Sequence, residues 1–219
     1  MANKTVYILR HGETLFNLVG RTQGWCDSPL SERGVEQSRR AGRALKERGV
    51  VFDHAYCSTA ERCCDTLELA TAEAYGEAMD YRRMKDLREI SFGTCEGTYN
   101  YQEIREKVMS PEFDAVGGGE SSKDAVARFE RCLNELLSKD ENQCILVVTS
   151  GGISMQFFLA HFADSDLRQT LFSNCLAYEY AWHDGVFNCK DIYVPDLADL
   201  EAEDLPVQVK HIVAPPIEA

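Results

Sequence analysis

Short apolar runs that give way at once to a polar cluster and then to a helix constrain this chain more than any other feature. Val6–Leu9 and Cys144–Val148 are continuously apolar, and Val51–Cys57 is a third, more mixed run. A strand without polar alternation is one covered on both faces. Helical segments lie between the runs. Ser31 reads as the N-cap of a helix to about Arg48, with Gly49 as its stop. Ser58 or Thr59 caps a helix through Tyr75, and Ser121 with Asp124 resembles a capping box opening a helix to about Ser138. Gly151–Phe162 follows the third strand directly. Between these, Arg10–Leu30 reads as a loop, Tyr81–Leu87 as a short extended segment, and 97–119 as irregular with one helix near Tyr101–Met109. Leu176–Trp182 and Val186–Tyr193 alternate around Asp184-Gly185, a strong two-residue hairpin signal. Strands separated by helices require crossovers. The expected fold is α/β, a three-layer αβα sandwich with a mostly parallel sheet and an antiparallel strand at one edge.

Composition narrows the function. The 219 residues suit one domain spanning 1–219, ending in an acidic tail over 195–219. That tail holds Asp196, Asp199, Glu201, Glu203 and Asp204, with Pro206, Pro215 and Pro216. The net charge of −13 repels nucleic acid and anionic membrane, so any bound phosphate needs a small, focused positive site. No apolar run approaches the ~20 residues of a membrane helix. The cysteines number nine, an odd count, and none forms a Cys-x-x-Cys pair. Reduced thiols are expected, with neither a disulfide framework nor a zinc site. The start of the chain has no signal-peptide pattern, and a cytoplasmic location is expected.

In open α/β sheets, ligands bind beyond the carboxyl ends of the strands. Arg10-His11-Gly12-Glu13-Thr14, Ser58-Thr59-Ala60-Glu61-Arg62 and Thr149-Ser150-Gly151-Gly152 stand at three such ends. A fourth cluster, Leu87-Arg88-Glu89 with Phe92-Gly93 and Glu96-Gly97, follows the extended segment. Arg offers phosphate a rigid charged fork, a neutral His can attack phosphorus, and a protonated Glu can supply the leaving group's proton. The helix opening at Gly151 would add free N–H groups to an anion site. A phosphate site is one reading of this convergence, and ordinary loop residues are the other.

Arg10-His11-Gly12-Glu13-Thr14 with Asn17 resembles the signature of the histidine phosphatase superfamily, the phosphoglycerate mutase-like proteins. Four further stretches resemble that family's blocks in order. They are Gln23-Gly24-Trp25 with Asp27-Ser28-Pro29-Leu30-Ser31, then Ser58–Arg62 with Thr66, then Leu87–Gly93 with Glu96-Gly97, and Gly118-Gly119-Glu120-Ser121 with Arg128. The resemblance implies a phosphoglycerate mutase-like fold in which His11 is the nucleophile. It further implies that Arg10 and Arg62 grip the phosphoryl group, Asn17 adds a neutral donor, and Glu89 is the general acid. Gln23, Gly24 and Gly151 would sit at the substrate, with 97–120 as a lid insertion and no metal or cofactor.

Two departures bear on activity. The family carries a second His in the turn after the third strand, where this chain has Ser150. His161, within the following helix, reads as a packing residue. An uncharged Ser in place of that His forgoes a charged hydrogen bond of about 1.5–3 kcal/mol, roughly 10–100-fold in rate. The family's mutases also carry a Lys shortly after the acid block and an adjacent Arg pair in the lid. Here Asn100 stands near the first place, and the lid holds Arg105 and Lys107 without a pair. The expected function is a metal-independent phosphomonoesterase, attenuated by Ser150, acting on a small phosphorylated metabolite through a phosphohistidine. The alternatives are mutase-type phosphoryl transfer and a catalytically silent phospholigand-binding protein. Expected partners are the phosphorylated substrate, with a homodimer left open, and neither nucleic acid nor membrane. Tyr99, Tyr101 and Phe113 are expected as lid core rather than as a substrate lining.

Overall fold

The computed structural model describes residues 3–108, 110, 113–162 and 173–201. Its centre is β1 (Lys4–Arg10), which pairs in parallel with β4 (Cys144–Thr149) and antiparallel with β5 (Ala177–His183). The six-stranded order is β3-β2-β4-β1-β5-β6, with β2 at His54–Ser58, β3 at Arg82–Met84 and β6 at Val186–Tyr193.

Both faces of this sheet are covered, which is why the runs are continuously apolar. Along β1, Val6 and Ile8 join one core with Ile145, Val147, Phe129 and Phe157. Tyr7 and Leu9 join the other with Leu146, Val148, Leu45 and Leu67. The first core is supplied by α5 (Ser122–Lys139) and α6 (Gly151–Phe162). The second is supplied by α2 (Glu32–Glu47) and α3 (Glu61–Tyr75). The result is the expected three-layer α/β sandwich, with an antiparallel hairpin at one edge.

The caps follow local chemistry where a side chain is free to serve. Ser31 Oγ accepts from Gly34 N–H, and Ser121 Oγ from Asp124 N–H. The cap of α3 differs from expectation. It is Ala60, with no side-chain bond, because Ser58 Oγ accepts from Ala60 N–H and Thr59 Oγ1 accepts from Arg88 Nε. The stretch expected as a loop after β1 contains a five-residue helix, α1 (Leu15–Val19), closed by a reciprocal capping box between Thr14 and Asn17. Helix α4 (Tyr101–Val108) lies in the 97–120 segment. The acidic tail begins as α7 (Ala198–Glu201), held where Leu197 is buried and Arg40 pairs with Asp199. The rest of the tail, from residue 202, lies outside the described residues.

Three basic residues on and just after α2 form an ion-paired face. Arg40 and Arg43 share Glu36, Arg43 also takes Glu73, and Arg48 takes Asp191. The four polar clusters meet elsewhere, at the carboxyl edge of β1, β2, β3 and β4. There His11 N–H donates to Thr149 O at 3.0 Å, and Thr149 Oγ1 donates to Leu87 O at 2.6 Å.

Candidate active site

His11 is buried at the end of β1. Its Nδ1 lies 2.7 Å from Gly12 O. A carbonyl only accepts, so Nδ1 carries the ring proton and Nε2 keeps its lone pair. Burial, then Arg62, then Arg10 hold the imidazole well below its ordinary pKa. His11 is thus a neutral base with its nucleophilic nitrogen available.

Arg62 is wholly buried in the first turn of α3. Nη1 donates to Cys26 O at 2.9 Å and Asp27 Oδ1 at 2.8 Å, while Nη2 donates to Gly24 O at 2.9 Å and Ser150 Oγ at 3.1 Å. The fifth donor, Nε, is buried with no hydrogen-bond partner. Leaving a buried donor unmade costs about 1–3 kcal/mol. Ser150 is also fully buried, with Oγ directed at Arg62 and 3.8 Å from Cys63 Sγ.

A cavity of about 80 Å³ opens beside these groups. Of the residues expected at the site, it is lined by Arg10, His11, Asn17, Gln23, Glu89 and Gly151. Arg62, Ser150 and Gly24 stand behind that wall. Gly24 belongs to the frame, since its carbonyl accepts from Arg62 and its N–H donates to Glu96. Asn17 uses Oδ1 to accept from Thr14 N–H and keeps its Nδ2 hydrogens. Gln23 Oε1 accepts from Thr14 Oγ1 at 2.7 Å.

Glu89 accepts three amide N–H groups. Oε1 takes Ile90 and Ile153 at 2.9 and 2.6 Å, and Oε2 takes Gly152 at 2.7 Å. Burial nonetheless raises the Glu89 pKa above its ordinary value, against those amides and Arg62. With two bonds on Oε1 and one on Oε2, the lone pair left for a proton is on Oε2. This overturns one expectation: Gly152 and Ile153 N–H, at the start of α6, are committed to Glu89 and not free for an anion. A Cβ on residue 152 would lie 2.7 Å from the Glu89 carboxyl, so glycine is needed for this approach.

Two charged side chains that sequence reasoning left without a role build the frame. Glu96 accepts from the backbone N–H groups of Gly24, Trp25, Cys26 and Phe92 at 2.8–3.0 Å. Arg128 donates to the carbonyls of Asp86, Arg88 and Glu89 and pairs with Glu120. The available signal was a lone charge in or beside an irregular stretch, where loop backbone groups need partners.

The lid aromatics divide. Phe113 is core as expected, Tyr101 lines the cavity instead, and Tyr99 lies under Arg21 at 4.5 Å. His161 packs on Phe157, with ring centroids 4.9 Å apart.

The sequence profile of the Histidine phosphatase superfamily (branch 1) matches residues 6–194. The chain belongs to that family. A 2,3-bisphosphoglycerate-dependent phosphoglycerate mutase of Bradyrhizobium diazoefficiens is 35% identical over 136 residues, 58% of this chain. The match spans 65% of that mutase's length. A phosphoglycerate mutase from Bacillus anthracis superposes with a TM-score of 0.73 at 24% identity, covering 86% of this chain and 92% of that one. A mycobacterial glucosyl-3-phosphoglycerate phosphatase superposes at 0.69 and 23% identity, covering 89% and 100%. Proteins similar to this family member thus carry both mutase and phosphatase names. Among the described residues, no helix is long and apolar enough to cross a membrane, and no three His, Cys, Asp or Glu side chains gather to hold a metal ion.

Proposed function

We propose that the protein is a metal-independent phosphomonoesterase working through a phosphohistidine. The observation that carries this reading is a buried, neutral His11, with its lone pair on Nε2, sharing one cavity with Arg10 and a Glu89 whose pKa is raised. Nε2 attacks phosphorus as the ester P–O bond breaks. The departing oxygen takes the electron pair and the proton from Glu89 Oε2. Glu89, now a carboxylate, removes a proton from water, whose oxygen attacks phosphorus as the N–P bond breaks. Inorganic phosphate leaves, and the electron pair returns to Nε2. Arg10 spreads the charge developing on the phosphoryl oxygens, and Arg62 adds its charge from behind the cavity wall. The catalysis is positioning plus electrostatics.

Turnover is slow in this reading, because Ser150 points at Arg62 and gives the cavity no second imidazole. The nine free cysteines support a reducing, cytoplasmic setting. A second reading, mutase-type transfer, is favoured by the names of the sequence relatives. Against it, Asn100 accepts from Thr22 and Thr98 and does not line the cavity. Phosphate release without phosphoglycerate interconversion selects the phosphatase.

Glu89→Gln tests the acid. Loss of proton donation slows an alkyl phosphate by about 100-fold or more. An aryl phosphate, whose leaving group needs little help, slows far less. Equal slowing of both would remove Glu89 from the acid role.

A further inference from the structure

We infer that the preferred substrate is a phosphomonoester of an apolar alcohol, an inference that rests on the phosphatase reading above. The cavity has two unlike sides. The phosphoryl side is His11, Arg10, Asn17 and Glu89. The side left for the alcohol is largely apolar, Phe92, Tyr101, Ile104, Val108 and Met155, and the one charged side chain among them, Arg105, is already engaged within the protein. Phe92, Ile104, Val108 and Met155 are buried members of the core that also holds Phe129 and Ile153, so this wall is an extension of the hydrophobic core.

The wall is also held in place. At the start of α4, Thr22 N–H donates to Thr98 O at 2.9 Å, and Thr22 Oγ1 donates to Asn100 Oδ1 at 2.7 Å. At its end, the buried Gln156 donates through Nε2 to the carbonyls of Val108 and Ser110. Bonds within the protein also take up polar groups beside the wall that would otherwise meet a substrate hydroxyl. Thr22 Oγ1 is committed to Asn100, and Gln23 Oε1 to Thr14. A sugar or glycerol hydroxyl laid against the apolar side loses its water and finds few replacements. A methylene there gains contact. Discrimination of this kind is worth tenfold or more per group.

The reaction consumes one water and releases the neutral alcohol and inorganic phosphate, with the alcohol oxygen taking its proton from Glu89. The test measures kcat/KM for phosphate release by the full chain from n-butyl phosphate, glycerol 3-phosphate and an aryl phosphate. Glycerol is the more acidic alcohol, so leaving-group chemistry alone favours glycerol 3-phosphate. The expected result is the reverse, with n-butyl phosphate ahead by about tenfold or more. Tyr101→Ser should lower that ratio severalfold, and so should Val108→Thr, which keeps the side-chain shape and puts one hydroxyl in the wall. Glycerol 3-phosphate turning over as well as n-butyl phosphate, while phosphate is released from both, overturns this inference and leaves the phosphatase reading standing. Release from none of the three, the aryl phosphate included, overturns the phosphatase reading and the inference with it.

Discussion

The proton on His11 Nδ1 decides what Nε2 can do. Gly12 O holds that proton at 2.7 Å, and burial with two arginines keeps a second proton off the ring. The folded pKa lies well below the 6.5 of an unperturbed His, so the unfolded chain binds the extra proton more readily. Stability from this group is therefore complete above about pH 6.5 and lost as pH falls from there through the folded value. Imidazole ¹⁵N NMR should show an Nδ1–H tautomer that passes through pH 6.5 without titrating. An Nε2–H tautomer, or a midpoint near 6.5, would contradict the geometry. At Ser150 the hydroxyl accepts from Arg62 Nη2. Ser150→Ala leaves a charged donor unmade inside the protein, at about 1.5–3 kcal/mol. We expect kcat/KM to fall roughly 10–100-fold, with weaker product inhibition by phosphate as Arg62 loses its position. Unchanged phosphate inhibition would mean that Ser150 does not hold Arg62.

Elements differ in how far local chemistry determines them. Asp184 and Gly185 both have positive φ, 46° and 87°, as a type I′ turn requires. This turn lies at the end of the sheet away from His11, since Trp182 pairs with Lys4 at the start of β1. Gly185→Ala should lower unfolding stability by about 1–2 kcal/mol, measured in urea, because a Cβ disfavours the left-handed region. Phosphate release should be unaffected. The hairpin, the Ser31 and Ser121 caps and the doubly buried strands were legible for the same reason: each depends on residues within a few positions or on simple patterning. Helix α1 was not legible, because five residues are too few to show a period. Ala60 as cap was not legible either, because Thr59 is drawn away by Arg88, 29 positions along the chain. The site divides in the same way. His11, Arg10, Arg62 and Glu89 could be named from ordered motifs. That Glu89 occupies the start of α6, and that Ser150 turns to Arg62, depends on contacts 63 and 88 positions apart.

For the whole molecule, a net charge of −13 surrounds a cavity that, in the proposed function, takes an anion. At about 10 mM salt the Debye length is roughly 30 Å, and the far field of the protein opposes a dianionic substrate. At 150 mM it is about 8 Å, leaving Arg10 and Arg62 to act at close range while the distant repulsion is screened. Raising chloride salt over that range should raise kcat/KM, by about twofold or more. A fall would mean that the arginines dominate the long-range field as well. Protein charge, sheet topology and the frame around Glu89 all serve one claim, that a phosphoryl group rests on His11 between two half-reactions. Rapid quenching of the protein during turnover of an aryl phosphate, followed by mass spectrometry under conditions that preserve phosphohistidine, tests it most directly. One phosphoryl group on His11, absent from His11→Ala along with phosphate release, is the expected result. Steady phosphate release with no phosphoryl group on His11, or release that survives in His11→Ala, would contradict it.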